Sequence, residues 1–376
     1  MKKWQRKMGV LVALLVLLTS VSALGEIVIK QEVFLDGTTY DPLVLKNGNL
    51  LLPCQTKKGA DGTILKDGDY LAWMVCLRPD GTIAWDHHYG DLPGATVYCR
   101  FVELDDGNLL GWAHHSVNQA DTVVWRPMLA PTGEEVARDM LTSSDWPIIF
   151  VTNGRYWEDT HVGDVRSYTY QLPSGEVLWS ISTQETVKGA RRLIALPNGL
   201  LLLGRSPEQD TVAGMAMVTY GGQLQWRTTV RAQGDSYLQG GVALQDGSVL
   251  AVGSVTTWKN DKVDSSAGLA VCVGPGGAIK WEKTYDIGRE TLEGVVEVSG
   301  GYCAMYRSDG GKAFHFLLLN RAGDEIGRAS YTMTDMDAFS IDLLQWNGEV
   351  WVLANGTRGD RDGTLLLQLD MASLVP

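Results

Sequence analysis

The 376-residue chain sets 32 Lys and Arg against 44 Asp and Glu, a net charge of −12, with six His and five Cys. That balance excludes a protein built to neutralise nucleic-acid phosphates and does not suit an anionic membrane surface. With no CxxC and no regular cysteine spacing, neither a disulfide framework nor a cysteine metal site is indicated.

The chain opens with Lys2, Lys3, Arg6 and Lys7, then the apolar run 9–18, then Val21-Ser22-Ala23. This is the layout of an export signal, and the run is shorter than the roughly 20 residues a membrane span needs. Residues 1–23 are read as a cleaved signal and 24–376 as one secreted or cell-surface domain. Removing the signal takes four cations and no acids, so the mature charge is −16. No further membrane contact is expected.

From there the chain repeats itself. Gly81-Thr-Ile-Ala-Trp85, Gly175-Glu-Val-Leu-Trp179, Gly222-Gln-Leu-Gln-Trp226 and Gly277-Ala-Ile-Lys-Trp281 share one pattern, with degenerate copies at 133–137 and 323–327. Successive glycines are 52, 42, 47, 55 and 46 residues apart. A period near 50 built from short strands marks a blade array. A second turn signal precedes each unit's most apolar strand, at Asn47-Gly48, Asp106-Gly107, Asn153-Gly154, Asn198-Gly199, Asp246-Gly247, Ser299-Gly300 and Asn347-Gly348. Asn-Gly and Asp-Gly favour tight hairpins. Seven such signals predict an all-β, seven-bladed propeller of four-stranded antiparallel blades. The last unit lacks an outer strand, and residues 27–34 are predicted to supply it and close the ring.

In this arrangement the short glycine turns share one face and the longer connections share the other. The long connections are 55–69, 114–121, 157–163, 254–267 and 355–363. Loops carried on a rigid scaffold are where binding usually resides.

The stretch 269–288, with its Trp-x-Lys-Thr-Tyr continuation, resembles a repeat of exported bacterial β-propellers. The Gly-x-x-x-Trp element is distantly similar to the docking motif of pyrroloquinoline-quinone-type propellers. Those carry Ala-x-Asp before the turn, whereas residues 77–80, 171–174 and 273–276 here do not. The resemblance implies blades of this kind, also in the manner of WD40-like propellers, and no quinone cofactor.

Catalytic signatures such as a Gly-x-Ser-x-Gly elbow or His-Glu-x-x-His do not occur. Candidate ligand-binding residues are instead those placed towards the long-connection face. They are His88, His114, His115 and His161, whose imidazoles suit a transition ion or acid–base work. Trp146, Trp157 and Trp258 are suited to stacking, and Arg192 to a carboxylate or phosphate at the channel mouth. No catalytic, metal or cofactor residue is assigned. The sequence reading is a monomeric, non-enzymatic exterior module that binds a glycan or protein. The alternative is a polysaccharide- or peptide-degrading enzyme with its site at the channel mouth.

Overall fold

The computed structural model describes residues 25–90, 93–118, 121–140, 149–152, 155–162, 165–171, 176–260 and 262–374. Antiparallel sheets follow one another along the chain. Sheet 1 has a broken first strand, Thr38–Thr39 and Leu43–Val44, then Leu50–Thr56, Leu71–Leu77 and Ile83–Tyr89. Sheet 2 comprises Ala95–Glu103, Leu109–Asn118, Asp121–Leu129 and Glu135–Met140. A ladder, sheet 3, pairs Ile149–Thr152, Arg155–Val162, Val165–Gln171 and Val177–Ser182. Sheet 4 is Lys188–Leu196, Gly199–Arg205, Ala213–Thr219 and Leu224–Thr229. Sheet 5 is Asp235–Ala243, Val249–Lys259, Lys262–Val273 and Ile279–Tyr285. Sheet 6 is Gly294–Val298, Gly301–Ser308, Ala313–Asn320 and Glu325–Thr332. Sheet 7 is Asp337–Trp346, Glu349–Arg358 and Arg361–Leu369. The second and third strands of sheets 1, 4, 5, 6 and 7 carry nearly continuous apolar runs, such as Leu200–Leu203, because both of their faces are covered by neighbouring sheets. The molecule is a β-propeller.

The repeat acts as a latch between sheets. Trp226, on the fourth strand of sheet 4, lies over Gly277 in the last turn of sheet 5, and its indole N–H donates to the Pro275 carbonyl at 2.8 Å. Trp179 reaches Gly222 and the Tyr220 carbonyl at 2.9 Å. Trp281 reaches Gly323 and the Arg321 carbonyl at 3.2 Å. Trp85 lies over Gly133. Only glycine fits beneath the ring: a Cβ on Gly277 would sit 2.7 Å from the indole, and the residue has φ +85°.

The expected seven equivalent blades are corrected to six. Sheets 1, 2, 4, 5, 6 and 7 form the six blades. Six apolar cores join neighbouring sheets among the described residues, not seven. Among the described residues no apolar core joins sheet 2 to the 149–182 ladder. In the outer strand of sheet 2, Ala137 stands where the other repeats carry Trp. Val136 and Met140 of that strand are exposed rather than covered. The ladder's own apolar contact is with sheet 4, through Tyr168, Tyr170 and Ile181. The side chains of its strands at 149–166 lie outside the described residues.

The ends of the chain meet. Ile29–Leu35 pairs antiparallel with Arg361–Leu369 as the outer strand of sheet 7. Gln31 on this strand takes the latch position, donating to the Asp80 carbonyl beside Gly81 at 2.9 Å. Just before it, Gly25–Glu26 adds a fifth, parallel strand to sheet 6, pairing Gly25 with Ala329 and Glu26 with Ser330. Ile27 between them is buried in the core shared by sheets 6 and 7. Residues 1–23, expected to be an export signal, lie outside the described residues.

Candidate functional site

Several connections expected to be loops are strands. In sheets 2, 5 and 7 the second and third strands run on to the near-terminal pairs Asn118–Asp121, Lys259–Lys262 and Arg358–Arg361. His114, His115, Trp157, His161 and Trp258 are therefore strand residues. Side chains of Trp157 and His161 lie outside the described residues, as does all of Trp146.

The remaining histidines are held locally. His88 stacks on Trp73 of the adjacent strand, centroids 5.7 Å apart, and burial lowers its pKa. His115 Nδ1 pairs with the Thr96 hydroxyl at 2.8 Å. His114 Nδ1 faces the Cys99 thiol at 3.9 Å, and burial pushes its pKa from 6.5 down to about 4. Among the described residues no group of three His, Cys, Asp or Glu is placed to hold a metal ion. All five cysteines are free thiols, and only Cys99 is not fully buried.

Arg192 does reach a carboxylate, but one of this chain. Its guanidinium donates to Asp342 at 3.3 Å, and Asp342 also raises its pKa ahead of a smaller effect from Asp41. Sheets 4 and 7 are not neighbours, so this pair crosses the central channel. Asp41 is bound in turn by Arg100 of sheet 2. Arg307 holds Glu293 at 2.8 Å, although burial still pushes the Glu293 carboxyl upward. These residues form one layer. Asp41, Arg100, Arg192 and Glu293 each stand seven positions before the glycine of their hairpin turn, and Asp342 six. Sequence reasoning picked only Arg192 from this layer; aligning the units on the Asn/Asp-Gly turns would have revealed the rest.

The open space lies elsewhere, at the seam where sheet 7 meets sheet 1. Two adjoining hollows of about 480 and 540 Å³ share Asp36, Thr56 and Lys58. The first lies on the long-connection face, between the 57–70 loop of sheet 1 and the 358–362 hairpin of sheet 7; Tyr70, Ile64, Lys57 and Arg361 line it. The second runs down between the outer strands, past Phe34, Trp73, Asp86 and His88. Asp36 ties the walls together, accepting from Arg361 at 3.0 Å and lying 3.9 Å from Lys58. Trp73 is fixed by donating its indole N–H to Asp86 at 2.9 Å. Lys57 lies over the Tyr70 ring at 5.3 Å. Ile64 is left 70% exposed at the rim. Of the candidate residues named from sequence, only His88 lines this seam.

No protein-family model matches the chain, and no curated protein matches it in sequence. Solved structures share its fold. Drosophila Plexin A, seen in complex with Semaphorin 1b, superposes with a TM-score of 0.55 at 10% identity, covering 92% of this chain and 88% of that one. The polysaccharide lyase Uly1 gives 0.55 at 8% identity, with coverage of 91% and 99%. KlAtg21, in complex with the coiled coil of AgAtg16, gives 0.54 at 7% identity, with coverage of 86% and 96%. At these identities the likeness is one of fold.

Proposed function

We propose that the protein is a non-enzymatic binding propeller that takes an exterior glycan or protein segment on its long-connection face, in the seam hollow. The observation that carries this is the pairing of open space with mixed chemistry at one place. The hollow sets aromatic and aliphatic surface beside charges of both signs, which is how ligand sites combine burial with orientation. The channel layer supports the same reading. Its acids Asp41, Glu293 and Asp342 are each engaged by an arginine of the chain, which argues against a catalytic carboxylate pair at the channel mouth. Fold alone chooses nothing, since Plexin A with its protein partner and the lyase Uly1 resemble the chain equally.

The reading includes export through segment 1–23 and membership of the exported bacterial propellers built on a Gly-x-x-x-Trp repeat. The latch geometry supports the second point. Screening the purified mature chain on oligosaccharide and peptide arrays tests the proposal, with Ile64→Glu as the matched variant. Ligands should be retained by the native chain and lost by the variant. Ligands bound equally by both would overturn the seam as the site.

A further inference from the structure

The charges lining the two seam hollows are unequally engaged. Lys57, Lys58 and Arg361 are the cations, and each already has an acid of the chain beside it. Arg361 and Lys58 share Asp36, at 3.0 and 3.9 Å, and Lys57 lies 3.5 Å from Asp67. The acids are Asp36, Asp61, Asp86, Asp360 and Asp362, and among the described residues only Asp36 is met by a cation. Asp86 accepts the Trp73 indole N–H, Asp61 the Thr63 backbone N–H and Asp362 the Thr357 hydroxyl, each at 2.9 Å. Burial holds His88 below its ordinary pKa, so it adds no cation at pH 7. Residues 91 and 92, the undescribed pair next to it in the chain, are Asp and Leu, and neither is basic.

The aromatic rings of the seam are engaged as well. His88 stacks on Trp73 with the ring planes 18° from parallel. Arg358 lies over the Phe34 ring at 4.4 Å, and Lys57 over the Tyr70 ring at 5.3 Å. Gln55 accepts from the Tyr40 hydroxyl at 2.6 Å, and the Thr56 hydroxyl donates to the Asp36 carbonyl at 2.7 Å. A sugar needs open ring faces for its apolar side, and free amides and hydroxyls for its own hydroxyls. The seam uses both within the chain. What it leaves open is carboxylate, together with the aliphatic surface of Ile64 at the rim.

We infer that the occupant of the seam is a basic peptide segment, an extended stretch carrying Lys or Arg beside an aliphatic residue. The aliphatic side chain lies against Ile64. A basic side chain descends between the outer strands to Asp86, and a second basic group meets Asp360 and Asp362 at the hairpin of sheet 7. Hydrogen bonds between ionised partners are roughly twice as strong as neutral ones. A cleft with a surplus of one sign also concentrates the opposite charge, and the net charge of −12 steers cations towards the chain. This assignment rests on the seam being the binding surface and adds the chemistry of its ligand.

The test is isothermal titration of the mature chain with basic peptides selected on the array, each beside a twin carrying Gln for Lys or Arg, and beside neutral and amino-sugar oligosaccharides. At least one basic peptide should bind ten-fold or more tightly than its twin, and its binding should weaken in salt. Asp86→Asn with Asp360→Asn should weaken it at least five-fold and flatten the salt dependence. Asp105→Asn, at a hairpin turn of sheet 2, should leave it unchanged. All three acids are exposed, and unchanged melting curves establish that the variants are folded. Hydrogen exchange then locates the bound ligand. If the ligands that protect 55–72 and 358–364 are neutral or acidic, the inference is overturned and the seam stands as the binding surface. If a basic peptide binds but protects neither wall, both are overturned. The inference also fails if no basic peptide binds, if the Gln twins bind as tightly, or if amino sugars bind in their place.

Discussion

Replacing Gly277 with Ala tests the latch that joins one blade to the next. The residue sits at φ +85°, where an L side chain costs roughly 1–2 kcal/mol. The added Cβ would meet the Trp226 ring at 2.7 Å, so the ring must move away from the Pro275 carbonyl. Losing that hydrogen bond costs about 0.5–1.5 kcal/mol more. The expected total is about 1.5–3.5 kcal/mol. Gly300→Ala is the matched control, since Gly300 has φ +87° and nothing within 4 Å of the added atom. It should show the backbone cost alone, about 1–2 kcal/mol. Urea unfolding followed by tryptophan fluorescence measures both. Equal losses in the two variants would refute the latch, leaving only backbone strain.

Three further outcomes follow from the geometry. Gln31→Ala removes the hydrogen bond that pins the outer strand of sheet 7 to sheet 1. It should cost about 1 kcal/mol and speed hydrogen exchange in residues 29–35 before the rest of the wheel. The His114 pKa is lower in the folded chain than in the unfolded one, so between pH 6.5 and about 4 the unfolded chain binds the extra proton, and stability falls as pH falls through that window. The full shift is worth at most about 3 kcal/mol, and partial exposure brings the expected loss to about 1. His114→Gln should melt with a shallower dependence over that range. A double-mutant cycle between Arg192→Met and Asp342→Asn should give a coupling of about 0.5–1 kcal/mol, weakening in salt because both groups are partly exposed. Zero coupling would show that the pair across the channel does not form.

The sequence made the blade pattern legible because it depends on residues with few substitutes. A glycine must underlie each indole, and an apolar strand must follow each Asn/Asp-Gly turn. The blade count was less legible. Turn signals mark where hairpins form, whereas a blade also needs its neighbour's cover, and Ala137 withholds the indole on the sheet 2 side. Hairpin length was misjudged because loops were located by glycine. The sheet 5 hairpin turns at Asn260 with φ +52°, a conformation Asn tolerates without glycine. The channel layer escaped notice because its partners are far apart in sequence, Arg192 and Asp342 by 150 residues. The seam hollow is built from the two ends of the chain, and only its His88 was named.

Hydrogen exchange with an array-selected ligand bound is the most direct test of the seam as the binding surface. Protection should appear at 55–72 and 358–364, the two walls of the hollow. Protection confined to the opposite face, at turns 78–82, 219–223 and 274–278, would contradict the account.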